Sequence, residues 1–438
     1  MRALSLRPWR RVVTSNRQNV GPRPCKWVLA VFLGIAIGIP VAGANEPLGL
    51  DEAVALSRSA DDPSVGLYQE LAAAEQERAI AAEQLADPQF QFRAANVPTD
   101  DFRLDREPMT QLQVGVRQSF PRGDTLRLQR RRHETQSEGA LAQGDWVTAQ
   151  RALDTRTAWL ETYYLRGAQD AVAASQVAMR ELIAIATTVY ATGRSASQDV
   201  LRAELELAAL QERAIDLEGG EALSRADLER LIGYEAARRP ISSELPTFTP
   251  PLPVIAIRDR LPSHPSIQMF DANVDVGEID IGIAEEAYRP AWGVEAMYGN
   301  RVDERSDFVS IGIVMDVPIF TGQRQDRRLS AARRDRESAR LRRAAHLRDL
   351  EQDLNRTYAA WRRDTERAEL YETSVVPQAR ATSRAVIDAY RNDLSDFPEL
   401  IRARLAELDA ELALLRFQID AQQANARLIY LGGNDDDE

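Results

Sequence analysis

Residues 291–318 read AWGVEAMYGNRVDERSDFVSIGIVMDVP, and this stretch decides how the rest of the chain is interpreted. Apolar residues alternate with small or polar ones at both of its ends, and a polar segment separates the two ends. A period of two belongs to a β-strand, because successive side chains of a strand point to opposite faces. Each run is about ten residues long, the length that a tilted strand needs to cross a bilayer. The stretch predicts a β-hairpin of membrane-spanning length.

A second hairpin of the same kind is predicted earlier in the chain, at about 89–120. A soluble, half-buried sheet could produce one such hairpin, but two copies in a chain that is otherwise almost wholly helical favour a membrane location. The apolar positions define the predicted lipid-facing residues, which are Phe90, Phe92, Val114, Val116, Trp292, Val294, Tyr298, Ile311 and Ile313.

Four strands are too few to close a barrel. Open strand edges are not tolerated in hydrocarbon, because each unpaired amide or carbonyl there costs several kcal/mol. The smallest membrane barrels have about eight strands. If these hairpins enter a membrane, several chains must share one barrel, and this argument alone leaves two, three or four chains open.

The N-terminal segment has the features of an export signal. Seven basic residues and no acids precede an apolar run at 27–39, and Ala42-Gly43-Ala44 supplies a small-residue cleavage site. We therefore expect residues 1–44 to be removed. The only cysteine, Cys25, lies in that segment, so the mature chain is expected to contain no disulfide.

The charge balance argues against nucleic acid as a partner. The full chain carries a net charge of −12, and loss of the basic signal segment would make it more acidic still. His133, His264 and His346 have no helical partner at i+4 and no cysteine nearby, so the sequence predicts no metal site. No nucleophile–base pair or phosphate loop is present either. We expect neither a cofactor nor an enzymatic activity.

The remainder of the chain predicts two structural repeats built mainly of helix. Pro63 and Pro88 of the first repeat correspond to Pro265 and Pro290, each shifted by 202 positions. A constant shift is what an internal duplication leaves. The predicted divisions are a first repeat at 45–236 (long helix at about 124–191, return helix at about 197–232), a proline-rich linker at 237–262, a second repeat at 263–433 (hairpin at about 291–318, long helix at about 323–391, return helix at about 397–431) and an acidic tail at 434–438.

One irregularity distinguishes the repeats. Pro377 lies inside the second long helix and has no counterpart in the first. Because proline cannot donate the helical hydrogen bond, we expect it to kink or split the helix.

This order of elements resembles the TolC-type outer-membrane efflux proteins. The resemblance covers nearly the whole mature chain and rests on the duplicated succession of helix, hairpin, very long helix, turn and return helix. Local runs add to it, such as Leu50-Asp51-Glu52-Ala53 and the segment from Pro318 to Gly322. It implies a homotrimer with a twelve-stranded barrel in the outer membrane and a tunnel of twelve helices in the periplasm.

The resemblance also implies partners and a location. Such proteins are ducts that extend from outer-membrane lipid into the periplasm, where they dock a periplasmic adaptor (membrane fusion) protein and an inner-membrane pump of the RND or ABC type. The passive duct of a tripartite efflux system, or of a type I secretion system, is therefore the expected function. The alternative from another class is a soluble periplasmic coiled-coil adaptor or scaffold, which explains the long helices but not the two hairpins.

Two groups of site residues follow from the same resemblance. The helix-hairpin tips are expected to contact the adaptor, and they comprise Gly193, Arg194, Ser195, Asp393, Leu394 and Ser395. The expected periplasmic gate consists of Asp199, Asp396, Glu399 and Arg402. Asp393 and Pro398 depart from the family pattern, since a glycine usually occupies the first position. Carboxylates around a narrow axis attract cations and can bond neighbouring helices, although a surface charge is the commoner fate of such residues.

Overall fold

The computed structural model describes residues 46–59, 62–191, 197–246, 248–302, 305–392 and 394–432. The predicted signal segment 1–44 and the acidic tail 434–438 lie outside the described residues.

Ten α-helices and four strands are found in the described part of the chain. The first repeat contains α1 (Leu50–Ser59), α2 (Pro63–Ala82), β1 (Gln89–Ala95), β2 (Gln111–Phe120), α3 (Thr125–Ala191), α4 (Ser197–Ile232) and α5 (Tyr234–Ala237). The remainder contains α6 (Val254–Arg260), α7 (Pro265–Glu286), β3 (Ala291–Asn300), β4 (Phe308–Asp316), α8 (Gln325–Leu370), α9 (Val376–Arg391) and α10 (Phe397–Tyr430). The expected class, mainly helical with a small β part, is confirmed.

The four strands form one antiparallel sheet in the order β1-β2-β3-β4. Strands β2 and β3 join the two repeats, with Val114 opposite Tyr298 and Phe120 opposite Trp292. The rings of Phe120 and Trp292 stack with centroids 4.1 Å apart. Within this sheet, the outer edges of β1 and β4 pair with no other strand.

The helices follow the same lateral order as the strands that they continue. Helix α3 packs against α2 on one side and α7 on the other, and α7 packs against α8. The 67 residues of α3 span about 100 Å at 1.5 Å per residue. This helix also contains a stretch long and apolar enough to cross a membrane, but the core helix of a soluble protein meets the same criterion.

Three apolar clusters hold the helices together. Trp159 anchors the first, where its indole Nε1 donates to the carbonyl of Leu48 over 3.0 Å. A second cluster joins the second half of α3 to the first halves of α4 and α10, and a third packs α6 on α8 and α10. Helix α6 lies within the segment 237–262 that the sequence analysis treated as linker. Its apolar residue Ile257 is fully buried, so this part of the segment is ordered by packing.

Pro377 changes the hydrogen-bond pattern of the second long helix. Residues Tyr371–Val375 form a π-helical turn, and the proline occupies the first turn of α9, where its missing N–H is tolerated. The amide of Val376 donates to the carbonyl of Tyr371, five residues back. The expected split of this helix is therefore observed as a wider turn rather than a break.

Helices α2 and α7, which precede the two hairpins, begin with different caps. Asp62 accepts a hydrogen bond from the amide of Ser64 (2.7 Å) and is also ion-paired with Arg151. His264 is the counterpart of Asp62 after the shift of 202 positions, and its Nδ1 accepts from the amide of Ser266 (3.2 Å). Because Nδ1 is an acceptor, the ring proton lies on Nε2, which donates to the carbonyl of Tyr430 over 3.2 Å.

His264 is buried and belongs to a short hydrogen-bonded chain. The hydroxyl of Ser266 lies 2.7 Å from Nδ1 of His264 and 2.8 Å from Nε2 of His346. The pKa of His264 is lowered from 6.5 to about 4, mainly by burial. The bond to Tyr430 acts to raise the pKa, and the charges of His346 and Arg427 act to lower it. Burial also lowers the pKa of His346. Both rings are therefore neutral at pH 7.

The depressed pKa of His264 predicts acid sensitivity. Between pH 6.5 and about 4 the unfolded chain binds a proton that the folded chain does not, so the free energy of unfolding falls as the pH falls. The loss should reach on the order of 3 kcal/mol. His264→Asn keeps a capping side chain and should flatten this dependence, measured as the thermal midpoint against pH. A slope equal to that of the wild type in the His264→Asn variant would contradict the assignment.

Candidate functional site

The apolar face of the sheet is highly exposed, which is unfavourable in water. Directly paired residues of an antiparallel sheet lie on the same face, and the register aligns Phe92, Val114 and Tyr298 in one row. Phe92 is 82% exposed and Ile311 78% exposed. All nine predicted lipid-facing residues lie on this face, and only Val294 among them is half-buried rather than exposed.

The opposite face is polar and closely packed. Arg117 lies directly opposite Glu295, and the same row continues to Gly312. Glycine is needed at Gly115, because a Cβ there would lie 2.9 Å from the carbonyl oxygen of Ala296 and 2.8 Å from Cγ of Met297. The sheet thus separates an apolar surface from a polar one across the thickness of one strand layer.

The start of α10 is organised by two of the predicted gate residues. Asp396 is the N-cap, and its Oδ1 accepts from the amide of Glu399 over 2.8 Å. Glu399 in turn accepts from the hydroxyl of Ser395 over 2.8 Å. Pro398 occupies the first turn, where its missing N–H is tolerated. These carboxylates therefore have a structural role in capping α10, which the sequence analysis did not anticipate.

Glu399 and Arg402 lie on the exposed side of α10. The other side is buried, because Phe397, Leu400 and Ile401 pack into the cluster that joins α3, α4 and α10. Nε of Arg402 donates to the carbonyl of Pro398 over 3.3 Å. A face of mixed charge is thus presented outward over the first two turns.

A cavity of 580 Å³ lies between the last turns of α3 and α9 and the first turns of α4 and α10. It is lined by Asp199 from α4 and by Ser395 and Asp396 from the start of α10, whereas Glu399 and Arg402 do not line it. Its other charged residues are Glu181, Arg391 and Arg404, which the sequence analysis missed because long helices of similar composition carry many equivalent charges. The predicted gate residues are therefore divided between this cavity and the exposed face of α10.

The tip residues can be placed only in part. Leu394 is strongly exposed and Ser395 is half-buried. The predicted contacts Gly193, Arg194, Ser195 and Asp393 lie outside the described residues.

A larger cavity of 1110 Å³ lies midway along the helices, between α3, α4, α8 and α10. Arg416 forms ion pairs beside it with Glu161 (2.8 Å) and Asp420. Burial, the largest influence, acts to lower the pKa of Arg416, but the two carboxylates outweigh it and raise the pKa above its usual value. Among the residues that the structure describes, no cluster of His, Cys, Asp and Glu is arranged to hold a metal ion.

Comparison with known proteins gives a family match for part of the chain and several similar folds. Residues 256–434 match the family described as "Outer membrane efflux protein". The fold is similar to that of VceC from Vibrio cholerae, with a TM-score of 0.74, 17% identity and coverage of 88% of this chain and 96% of that one. The fold is also similar to that of the outer-membrane channel OprN, with a TM-score of 0.75, 17% identity and coverage of 88% of this chain and 90% of that one. For the CmeC outer membrane channel of Campylobacter jejuni the TM-score is 0.74 and the identity 12%, with coverage of 87% of this chain and 85% of that one. No curated protein matches by sequence.

The cap at the start of α10 can be tested by substitution. Asp396→Ala removes the acceptor for the amide of Glu399 and should destabilise the first turn by about 1 kcal/mol. Hydrogen exchange of the amides of Phe397, Glu399 and Leu400 should accelerate several-fold. Asp396→Asn retains a capping oxygen and should stay close to the wild-type rate, whereas equal rates in the two variants would refute the capping role.

Proposed function

We propose that this chain, whose residues 256–434 match the outer membrane efflux protein family, is a member of that family and the outer-membrane exit duct of a tripartite efflux or secretion system. In that role it provides a passive path across the periplasm and outer membrane for substrates supplied by an inner-membrane pump and a periplasmic adaptor.

The proposal rests on the exposed apolar face of the sheet and on its unpaired outer edges. One of its faces is apolar and exposed, and its two outer edges have no strand partner within it. A membrane accepts such a sheet only if further strands close it into a barrel. Three chains would supply twelve strands, and the long helices that continue from them would line a periplasmic tunnel. A soluble scaffold would leave both the apolar face and the strand edges unexplained.

The partners are proposed from the family match and from the position of the far ends of the long helices. Helices α3 and α9 end, and α4 and α10 begin, at the end of the helical part that is farthest from the sheet. A periplasmic adaptor of the membrane fusion type would bind there, with Leu394 as an exposed apolar contact. The pump would be of the RND or ABC type. Catalysis plays no part in this role, since the energy for export is supplied by the pump.

Gating is proposed at the first turns of α10. In a closed ring of three chains, the exposed face with Glu399 and Arg402 would repeat three times around one axis. Carboxylates so arranged attract cations and can hold neighbouring helices together through ion pairs. Asp199 and Asp396 would contribute from the neighbouring cavity by fixing how the two turns pack.

The membrane location can be tested with two adjacent residues of β4. Ile311→Arg places a charge on the apolar face and should cost about 2–4 kcal/mol near the middle of the bilayer. Ser310→Arg places the same charge on the opposite face and should be tolerated. The measurement is the amount of heat-modifiable oligomer recovered in the outer membrane. Equal recovery of both variants, or recovery of the wild type in the soluble periplasm, would refute the proposal.

The gate can be tested by conductance. Glu399→Gln keeps a hydrogen-bond acceptor for Ser395 but removes the charge, and Glu399→Ala removes both. Both variants should raise the single-channel conductance of the protein in planar bilayers, because the ion pairs that close the end are lost. Glu235→Ala, an exposed acid on α5, serves as the control. Unchanged conductance in normally assembled Glu399 variants would rule out this residue as part of the gate.

A further inference from the structure

The apolar face of the sheet has an aromatic residue near each end. Trp292 and Tyr298 lie on this face near opposite ends of β3, about 20 Å apart at 3.3 Å per residue. Both side chains are exposed. Tryptophan and tyrosine in these positions are typical of membrane barrels, where they mark the boundary between hydrocarbon and headgroups. Trp292 therefore places the helical end of the apolar face at the level of lipid headgroups.

Two arginines of α3 lie just beyond this boundary, on the same side as the apolar face. A cavity of 430 Å³ is lined by Arg117 and Ser119 of the polar face and by Gln129 of α3, so Gln129 lies on the polar side. Arg127 and Arg131 are each two positions from Gln129, which places them about 160° away around the helix. The flanks of α3 are occupied by α2 and α7. The two exposed arginines thus lie on the side of the apolar face.

A third arginine is held beside them by the loop that precedes β3. Nε of Arg289 lies 3.2 Å from Glu286, and a Cβ at Gly123 would lie only 2.7 Å from Nη1 of Arg289. Gly123 has a φ of +43°, which glycine adopts without strain. The pKa of Asp124 is lowered mainly by a hydrogen bond from Arg127, and the charge of Arg289 acts in the same direction. Arg127 and Arg289 therefore lie close to one carboxylate.

We call Arg127, Arg131 and Arg289 the arginine belt. Arg127 shares an ion pair with Asp124 (3.0 Å) and Arg289 shares one with Glu286, yet their side chains remain 64% and 59% exposed. A guanidinium has five N–H donors, so each of these arginines keeps donors for a further acceptor. Three arginines face two carboxylates, and the belt carries an excess of positive charge.

The charge on this side of α3 changes sign with distance from the sheet. Glu134 and Glu138 follow Arg127 and Arg131 by seven positions each. Seven positions are about two helical turns, so the acids lie on the same side and about 10 Å farther from the sheet. The whole chain is acidic, with a net charge of −12. The positive charge is therefore confined to the level at which the apolar face ends.

We propose that the arginine belt binds the phosphate groups of anionic phospholipids in the leaflet on the helical side of the membrane. Arginine matches phosphate oxygens with two parallel hydrogen bonds. A lipid whose acyl chains cover the apolar face brings its phosphate to the level of the belt, which favours a lipid over a soluble anion. The proposal rests on the proposed function for the membrane location of the sheet.

The fluorescence of Trp292 can report which lipid lies beside the belt. Brominated acyl chains quench a tryptophan on contact. Among the described residues, Trp292 is the only tryptophan of the sheet, while Trp146, Trp159 and Trp361 lie in helices. The full oligomer is placed in vesicles of phosphatidylcholine and phosphatidylglycerol in which one lipid or the other is brominated. The two quenching curves give the relative affinity of the lipids, and Trp292→Phe supplies the background signal.

The wild type should prefer phosphatidylglycerol about fivefold or more, because each arginine near a membrane surface contributes a factor of about five. Arg127→Gln/Arg131→Gln should bring the two lipids close to equal affinity, whereas Arg131→Lys keeps the charge and should keep the preference. Arg180→Gln is the matched control. It removes the same charge from an exposed position of α3, about 70 Å farther from the sheet, and should behave as the wild type.

The outcomes separate this proposal from the function on which it rests. Equal affinity in the wild type, or an unchanged preference in the double variant, would overturn the lipid site and leave the exit-duct function standing. A wild-type Trp292 that neither lipid quenches would overturn the membrane location and both proposals. If the double variant fails to assemble, Arg131→Gln alone should lower the preference about fivefold, and an unchanged value there would also overturn the site.

Discussion

Hydrogen bonding at the strand edges is the constraint on which this structure depends. Water can satisfy an unpaired amide or carbonyl, but hydrocarbon cannot, so the apolar sheet of one chain is incomplete in a membrane. Strands β1 and β4 end the sheet on either side, and the face that includes Phe92 and Ile311 is exposed. The long helices continue from these strands in the same lateral order. An arrangement that closes the sheet therefore also sets which helices become neighbours.

The two halves of the chain that the sequence predicts as repeats contain matching elements, but these elements are not identical. Asp62 caps α2 and pairs with Arg151, whereas His264 caps α7 as a neutral ring bonded to the carbonyl of Tyr430. Both side chains accept a hydrogen bond from a free amide in the first turn of a helix. Asp62 does so as a charged carboxylate and His264 as a neutral ring. The backbone plan is thus retained while the electrostatics of each junction change.

The elements of the fold were predictable from local pattern, because period-two alternation, proline stops and a constant repeat shift each follow from backbone geometry. That the nine predicted lipid-facing residues share one face was predictable for the same reason, and the strand register places all of them on that face. The arrangement of the candidate site was harder to predict from the sequence. The capping role of Asp396 and Glu399 depends on where α10 begins, and Arg404 enters the cavity only through the packing of α10 against α3. The short helix α6, in the predicted linker, is stabilised by tertiary contacts, and these contacts cannot be predicted from the local sequence pattern.

The π-helical turn before Pro377 has a consequence for the orientation of the tip. Trp159 and Tyr190 are separated by 31 positions, but their counterparts Trp361 and Tyr390 are separated by 29. At about 100° per residue, two missing residues alone would turn the lower part of the second helix by about 160° relative to its twin. A π-turn absorbs about one further residue, which reduces this angular mismatch to about 60°. The wider turn thus acts as a rotational correction that lets a shortened helix present nearly the same side as the longer one.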